Sequence, residues 1–497
     1  MKFISTRGIY NGSVDASYAI KAGLADDGGL FMPEAIPTFT DGELLELAKL
    51  TYTERAASII GKFLTDYTYG ELLSDAKAAY GEEKFGACPA PVRKIASDTY
   101  FLELWHGPTC AFKDMALQIM PRLFVRAIKK CGEDRTALIL VATSGDTGKA
   151  ALEGYRDVPG TKIAVFYPTD GVSRVQKLQM QTQEGKNLSV FGIRGNFDDA
   201  QNGVKRIFAD EDIARVLDGC GVFTSSANSI NWGRLVPQIV YYVSAYLDML
   251  NSGDIQTGEI IDVAVPTGNF GNIFAAYIAK RMGLPLGKLI CASNSNNVLT
   301  EFLTTGEYNR QRTFYQTASP SMDILISSNL ERLLYLTAGQ EKTAEYMEML
   351  KSCGKYRVDE AIFSKIREHF IGFFASEEDT FAEIARTYKE KNYLIDTHTA
   401  VAAFAARKYR DTYKVERKVL VASTASPYKF AKAVLSALDV SNTANADDVE
   451  ALEMLSALTG TEIPTPLKSI LNKPILHSEI IEKEAMDNTV LDYIRGQ

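Results

Sequence analysis

The feature that most constrains the fold is an alternation of strand-like and helix-like segments that begins near residue 96. Runs of apolar, often β-branched residues, such as 137–141 and 188–191, are each followed by a segment whose apolar residues have helical spacing. The same order recurs at 261–283 and at 419–438. Strands that alternate with helices pair in parallel and are covered by helices on both faces. The pattern therefore predicts an α/β protein built on parallel sheets.

The residues before this alternation have a different pattern. Apolar residues in 44–64 recur every three or four positions, which predicts a helix, and Asp41 is placed to cap its start. The segment 87–95 holds two prolines and is typical of a connection. We predict a helical N-terminal domain over 1–95, an α/β domain over 96–260, and an α/β domain over 261–497 with a helical insertion near 310–418.

Composition and charge argue against several classes of protein. The net charge of -8 over 497 residues argues against a nucleic-acid or anionic-membrane binder. No apolar run has the length of a membrane span, and the N-terminus lacks the apolar core of a signal peptide. Six scattered cysteines without CxxC spacing and four distant histidines predict reduced thiols, no metal site and a cytoplasmic location. Nothing in the sequence fixes an oligomeric state.

Three loops between a strand and a helix carry residues suited to binding small anions. The loop 267–272, TGNFGN, combines two glycines, which allow close backbone approach, with two asparagine amides. The loop 143–148, TSGDTG, lacks the first glycine and the final hydroxyl of a P-loop, but its hydroxyls suit a carboxylate. The third loop, 423–427, is ordinary capping chemistry when taken alone. Each loop is by itself also compatible with a turn that binds no ligand.

A lysine in the stretch HGPTCAFKD gives these loops a chemical context. Lys113 follows the strand-like run 100–105 and precedes a helical pattern. Burial at a sheet edge lowers the pKa of an amine, and a neutral amine attacks aldehydes. A lone lysine at a helix start more often extends its ammonium group into water. An amine, an anion-binding loop and a hydroxyl at separate strand ends are together what pyridoxal phosphate requires.

Seven motifs along nearly the whole chain resemble the threonine synthases, a pyridoxal-phosphate-dependent family of the tryptophan synthase β group, or fold type II. They are STRG, GLADDGGLFMPE, HGPTCAFKDMALQ, VATSGDTGKAA, SANSINWGRLVPQ, VPTGNFGN and STASPYKF. The resemblance implies two parallel-sheet α/β domains around the cofactor and a helical N-terminal domain. It also implies a carbon–oxygen lyase that converts O-phospho-L-homoserine and water to L-threonine and phosphate.

The resemblance implies a role for individual residues. Lys113 would bind the cofactor covalently and act as the base toward the substrate. Thr424 would face the pyridine nitrogen, where a neutral hydroxyl makes the ring a weaker electron sink than a carboxylate would. The residues implied for the cofactor phosphate are Gly268, Asn269, Phe270, Gly271 and Asn272, and those implied for the substrate carboxylate are Ser144, Gly145, Asp146 and Thr147.

The phosphate of the substrate needs a second anion site, for which several residues offer donors. Arg234 is favoured because a guanidinium binds phosphate with two hydrogen bonds, whereas Arg174 and Lys177 fit a solvated helix face slightly better. The candidates are Ser173, Arg174, Lys177, Asn228, Asn231 and Arg234. His106 is equally compatible with orienting the lysine loop and with a structural role. We expect His398 to belong to a helix N-cap cluster and Cys110 to pack in the interior.

Three other functions compete with this one. A phospholyase with the same cofactor residues would release keto acid, ammonia and phosphate instead of threonine. A threonine or serine dehydratase is disfavoured by the N-terminal block and by the phosphate-site candidates. A non-catalytic relative is disfavoured because Lys113, Asn269 and Asn272 are all present.

Overall fold

The computed structural model describes residues 1–8, 12–143, 145–170, 172–440 and 446–496. The strands are β1 Lys2–Ser5, β2 Val14–Asp15, β3 Phe31–Pro33, β4 Val92–Lys94, β5 Thr99–Glu103, β6 Thr136–Ala142, β7 Thr161–Pro168, β8 Leu188–Arg194, β9 Val222–Ser226, β10 Ile261–Pro266, β11 Leu286–Ser293, β12 Glu307–Asn309, β13 Lys355–Arg357, β14 Phe370–Phe374, β15 Val419–Ser423 and β16 Ile480–Glu482. The helices are α1 Ala16–Ala22, α2 Asp41–Ala48, α3 Tyr52–Gly61, α4 Tyr69–Ala79, α5 Glu82–Phe85, α6 Asp114–Leu117, α7 Met120–Lys130, α8 Asp146–Tyr155, α9 Arg174–Gln181, α10 Phe197–Ala209, α11 Glu211–Gly219, α12 Trp232–Asn251, α13 Gly271–Arg281, α14 Val298–Thr305, α15 Leu330–Ala338, α16 Gln340–Cys353, α17 Glu360–His369, α18 Glu377–Lys391, α19 Thr397–Tyr413, α20 Ala431–Ala437, α21 Asp448–Thr459, α22 Thr465–Ile470 and α23 Met486–Arg495. Short 3-10 turns occur at Pro320–Met322, Pro427–Phe430 and Lys483–Ala485.

Two parallel sheets form the frame of the molecule. One has five strands in the order β16-β8-β7-β6-β9, all parallel. The other has six strands in the order β14-β11-β10-β15-β5-β4, in which only β4 runs antiparallel to its neighbour. The central strands are buried along almost their whole length, as parallel strands covered on both faces must be. The predicted α/β class with parallel sheets is confirmed.

The two sheets exchange segments across residue 260. Strand β5, which leads to Lys113, pairs with β15 in the six-stranded sheet. Strand β16, near the C-terminus, pairs with β8 in the five-stranded sheet. The predicted division into 1–95, 96–260 and 261–497 therefore does not coincide with sheet membership, and it stays a prediction about domains.

The predicted helix over 44–64 is two helices, α2 and α3. Thr40, and not Asp41, caps the first: its hydroxyl accepts from the N–H of Glu43, whose carboxylate accepts from the N–H of Thr40. Thr51 and Glu54 form the same reciprocal pair at the start of α3. A second capping box inside the apolar pattern starts a new helix there, because it satisfies the N–H groups exposed at a helix end.

Helix α12 is buried along nearly its whole length and carries residues of the site described below. It packs against α13, α3 and α6. Among the described helices, none is both long and apolar enough to cross a membrane. The described residues also contain no group of three or more histidine, cysteine or acidic side chains placed to hold a metal ion.

Candidate active site

The segment that carries Lys113 is held against the loop after β15. The N–H of Phe112 donates to the carbonyl of Thr424 over 2.8 Å, and Ala111 forms an isolated bridge with Ala425. Cys110 has a φ of 57° and is buried, which agrees with its expected packing role. These contacts place Lys113 at the carboxyl ends of the parallel strands, where α/β proteins bind ligands.

The amine of Lys113 is enclosed, with its side chain 12% exposed. Its Nζ lies 3.2 Å from Oγ of Ser321 and 3.7 Å from Oδ2 of Asp146. Burial lowers the pKa of Lys113 below its usual value; Asp146 opposes this shift, whereas Lys429 and Arg234 act with it. Burial therefore favours the uncharged form of this amine.

Asp146 stands between two lysines. Its Oδ1 lies 2.8 Å from Nζ of Lys429 and accepts a 2.9 Å hydrogen bond from Nε2 of Gln176, while its Oδ2 faces Lys113. Burial alone would raise the pKa of this carboxyl, but Lys429 and Lys113 outweigh it and hold the pKa well below its usual range. A permanent negative charge thus lies beside the Lys113 amine.

The loop that contains Asp146 is stabilised by hydrogen bonds from its own backbone N–H groups. Oγ1 of Thr143 accepts hydrogen bonds from the N–H groups of Gly145 and Gly148, over 3.0 and 2.9 Å. Gly145 has a φ of 142°, and a Cβ there would lie 2.5 Å from Nε2 of Gln176, so only glycine fits. Thr147 lies half-buried in the first turn of α8. Ser144, the remaining predicted residue, lies outside the described residues.

The glycine-rich loop between β10 and α13 keeps unused donors. Asn272 accepts hydrogen bonds at Oδ1 from the hydroxyls of Tyr241 and Tyr242, and its Nδ2 is buried without a partner in the described structure. Phe270 takes a left-handed conformation with φ 62° and opens α13 without a side-chain cap. An orphaned donor and uncapped N–H groups at a helix start fit an anion such as a phosphate.

The other members of this loop differ in accessibility. Asn269 is exposed, and its Oδ1 accepts from the hydroxyl of Ser328 over 3.1 Å. Gly271 is buried at the first position of α13. Gly268 lies so close to the segment after α14 that a Cβ would stand 2.9 Å from the carbonyl oxygen of Ser321. The loop is thereby fixed against the segment that contacts Lys113.

Ser321 joins the two halves of the site, and sequence reasoning missed it. Its Oγ contacts Lys113, and its N–H donates to Nε2 of His398 over 3.2 Å. Asp396 caps α19 and lies 2.9 Å from Nδ1 of His398. The expected N-cap cluster therefore also positions Ser321, through the contact with His398. Nothing in the sequence around Ser321 distinguishes it from other loop serines. Lys429 and Gln176 were also missed, although Lys429 lies within the STASPYKF motif.

The candidate residues for binding the substrate phosphate differ in whether their hydrogen-bond donors already have partners. Arg234 is buried near Lys113; one guanidinium nitrogen donates to the carbonyl of Ala227, and Nε has no partner among the described residues. Burial lowers its pKa to about 10. Asn228 is exposed, with its side chain in none of the described hydrogen bonds. These two residues keep donors that a ligand can use.

The remaining candidates are engaged elsewhere. Asn231 caps α12 through its Oδ1 and donates to the carbonyl of Ile20 through its Nδ2. Ser173 caps α9. Arg174 pairs with Asp447 at the surface, and Lys177 donates to the carbonyl of Thr169, so both already have partners within the chain.

Two further predicted residues have clear surroundings. The side chain of Thr424 is buried beside the Lys113 segment, and its hydroxyl takes part in none of the hydrogen bonds of the described residues. That leaves a donor for a ring nitrogen. His106 stacks on Trp105 and lies 2.7 Å from the carboxylate of Glu103, which gives it a structural contact.

Comparison with known families gives three matches that together span most of the chain. Residues 2–80 match the model of the threonine synthase N terminus, residues 85–424 match that of pyridoxal-phosphate dependent enzymes, and residues 399–475 match that of the threonine synthase C-terminal region. The second of these matches covers the Lys113 segment, the loops 143–148 and 267–272, and the third loop as far as Thr424.

Individual relatives agree with the family matches. The chain is 42% identical over 458 residues to human threonine synthase-like 1, a match that spans 88% of this chain but only 61% of that protein. It is 39% identical over 440 residues to the threonine synthase of Pseudomonas aeruginosa, spanning 87% and 90% of the two chains. The PLP-bound threonine synthase of Brucella melitensis superposes with a TM-score of 0.88 at 35% identity, over 100% of this chain and 99% of that one. The chain belongs to the threonine synthase family of pyridoxal-phosphate-dependent enzymes.

Proposed function

We propose that the protein is a threonine synthase that converts O-phospho-L-homoserine and water to L-threonine and phosphate. The observation that carries the proposal is the placement of Lys113. Its amine, whose uncharged form is favoured by burial, is enclosed between the Asp146 loop and the segment of Ser321 that packs against Gly268. The proposal is also supported by the threonine synthases that match this chain over almost their full length.

The residues present fit the cofactor. Lys113 is the group that would bind it covalently, and the hydroxyl of Thr424 is free for its ring nitrogen. The phosphate of the cofactor would take the donors of the loop after β10, where Asn272 has its unpartnered Nδ2. That loop consists of Gly268, Asn269, Phe270, Gly271 and Asn272.

The substrate would occupy the remaining donors. Its α-carboxylate would bind near Gly145, Asp146 and Thr147 at the start of α8, where backbone N–H groups and the helix dipole favour an anion. The Asp146 carboxylate is already neutralised by Lys429, which lowers the repulsion that a second carboxylate meets. The substrate phosphate would bind Arg234, whose unpartnered Nε is buried near Lys113, and Asn228 at the surface.

The chemistry divides between cofactor and protein. When bound, pyridoxal phosphate supplies the electron sink that stabilises negative charge at the substrate Cα. Lys113, in its uncharged form, removes protons from Cα and Cβ and returns protons to Cγ and Cα. Arg234 holds the phosphate as it leaves from Cγ, and water adds at Cβ.

A phospholyase that releases keto acid, ammonia and phosphate is the second candidate. The human relative at 42% identity is called threonine synthase-like 1, not threonine synthase. This name supports the phospholyase as a second candidate function. The same lysine and the same anion-binding loops would serve both reactions. The two differ in whether water adds at Cβ before the product leaves.

The test is a product analysis of the purified protein supplied with pyridoxal phosphate and O-phospho-L-homoserine. We expect threonine and phosphate in equal amounts. Keto acid and ammonia in place of threonine would move the assignment to the phospholyase.

The variant Lys113→Ala tests the residue that carries the proposal. It should lose turnover by at least about 10⁴-fold, together with the visible absorbance of covalently bound cofactor. The matched control is Lys432→Ala, which removes a half-buried lysine at the surface and should keep both properties. Retention of turnover by Lys113→Ala would overturn the proposal.

A further inference from the structure

A second buried lysine, Lys429, lies on the far side of the Asp146 carboxylate. It stands in the 3-10 turn Pro427–Phe430, and its side chain is 0% exposed. Its Nζ contacts Oδ1 of Asp146 at 2.8 Å, the carbonyl of Thr109 at 3.0 Å and Oε1 of Gln179 at 3.1 Å. An ammonium group has three N–H donors, so each one has an acceptor. Lys429 is therefore held as a charged, fully bonded ammonium.

The two lysines face the same carboxylate in different ways. Lys429 and Gln176 occupy Oδ1 of Asp146 with short, direct contacts. Lys113 is 3.7 Å from Oδ2, beyond normal hydrogen-bond distance, and its closest polar contact is the neutral hydroxyl of Ser321 at 3.2 Å. The carboxylate is thus committed to Lys429 and only loosely associated with Lys113.

We propose that Lys429 is a positioning residue, which neutralises and fixes the Asp146 carboxylate so that the Lys113 amine stays uncharged and free to react. The inference deepens the proposed function, because it concerns the same amine. Without Lys429, Asp146 would be a buried carboxylate whose remaining cationic neighbour is Lys113. A buried charge without a partner is costly, so Asp146 would draw Lys113 into an ion pair as an ammonium.

The charges that act on Lys113 come from three elements. Asp146 on α8 favours the ammonium form, whereas Lys429 in its turn and Arg234 on α12 disfavour it. Cys110 and Asp114 lie near Lys429, and His398 lies behind Ser321. Removal of Lys429 takes away a repelling cation and frees the attracting anion, so both effects raise the pKa of Lys113.

The test measures the protonation of Lys113 directly in the cofactor-free protein. The amine is trace-labelled with acetic anhydride across a pH series, and the labelled peptide is quantified by mass spectrometry. In Lys429→Met, the labelling midpoint of Lys113 should rise by about one pH unit or more, which slows labelling roughly tenfold below the midpoint. Lys432→Met, a change to a half-buried lysine of the neighbouring helix, should leave the midpoint unchanged. An unchanged or lower midpoint in folded Lys429→Met overturns the inference.

Lys429→Gln keeps the inference testable if Lys429→Met does not fold, because the glutamine amide can still donate hydrogen bonds but carries no charge. It should also raise the labelling midpoint of Lys113, and an unchanged or lower midpoint in folded Lys429→Gln would overturn the inference. The readout uses neither substrate nor cofactor, so its failure is separate from a failure of the product analysis that tests threonine synthesis.

Discussion

Two loops of the site have similar sequences, but one contains a negative charge and the other an unpaired hydrogen-bond donor. The loop 143–148 follows β6 and the loop 267–272 follows β10, and each leads through glycines into a helix. In the first, Thr143 bonds two of the loop's own N–H groups and the carboxylate of Asp146 is bound by Lys429. In the second, Asn272 keeps a buried donor with no partner. One loop carries a compensated negative charge, whereas the other is left ready to receive one.

The difference comes from residues far away in the chain. Lys429 and Gln176 approach Asp146 from other elements, while Tyr241 and Tyr242 on α12 turn the amide of Asn272 so that its Nδ2 is free. Loop sequence therefore sets which groups are available, and tertiary contacts decide which of them are used. Four substitutions test this comparison.

The largest effect is expected from Asp146→Asn, which removes the charge of the first loop. Lys429 would be left as a buried ammonium without its anion, and breaking a buried pair from one side costs about 3–5 kcal/mol. Urea unfolding should show a loss of this size. The control Arg174→Gln breaks the surface pair with Asp447 and should leave the unfolding midpoint almost unchanged. A small effect of Asp146→Asn would mean that Lys429 does not depend on this carboxylate.

The next effect concerns Asp114, a buried carboxylate that has only neutral hydrogen-bond donors. The N–H and hydroxyl of Thr109 bond it at 2.8 and 2.7 Å. Burial raises its pKa to about 6, whereas lysine partners hold that of Asp146 low. The folded state then binds a proton more tightly than the unfolded chain. Between pH about 4 and about 6, this group should therefore lower the free energy of unfolding as pH rises, by at most about 3 kcal/mol.

The variant Asp114→Asn isolates that contribution. It keeps both bonds to Thr109, whose hydroxyl can accept from the new amide, and it does not titrate. The free energy of unfolding of the original protein, relative to the variant, should fall across pH 4 to 6 and stay flat above pH about 7. A flat difference over the whole range would show that ionisation of Asp114 does not oppose folding.

The third prediction gives the second loop a charge. Asn272→Asp changes little in shape but replaces the free donor with a carboxylate, which repels the phosphate of the cofactor. We expect pyridoxal phosphate to bind on the order of 100-fold more weakly, as measured by fluorescence titration of the cofactor-free protein. Asn269→Asp places the same charge at an exposed position, where water screens it, and should have a smaller effect. Equal effects would argue against a special role for the buried amide.

Much of the frame could be predicted because its signals are local. The strands at 137–141 and 188–191 and the helix after Lys113 follow from apolar spacing, and they are found as β6, β8, α6 and α7. The pairing of β5 with β15 could not be predicted, since those strands lie more than 300 residues apart. Parallel pairing leaves no local trace of which strand is the neighbour.

The site shows the same limit. Lys113, Asn272 and Asp146 lie in motifs with local signals of glycine, turn and helix start. Ser321 lies in the short 3-10 turn Pro320–Met322, and Asn294, Asn296 and Thr317 surround the carboxylate of Asp323, the residue after that turn. A hydroxyl that is positioned by such tertiary contacts does not lie at any regular spacing in the sequence, so its place in the site could not be predicted.

The smallest effect is expected where the second loop touches that segment. In Gly268→Ala the new Cβ would lie 2.9 Å from the carbonyl oxygen of Ser321 and 3.3 Å from Cα of Met322, both backbone atoms that yield poorly. The overpacking should cost about 1–3 kcal/mol of unfolding free energy and move Ser321 relative to Lys113. Gly70→Ala, at an exposed helical position with open space around it, should instead gain up to about 1 kcal/mol. If Gly268→Ala left the free energy of unfolding unchanged, the close contact with the Ser321 segment would not contribute to the stability of this loop.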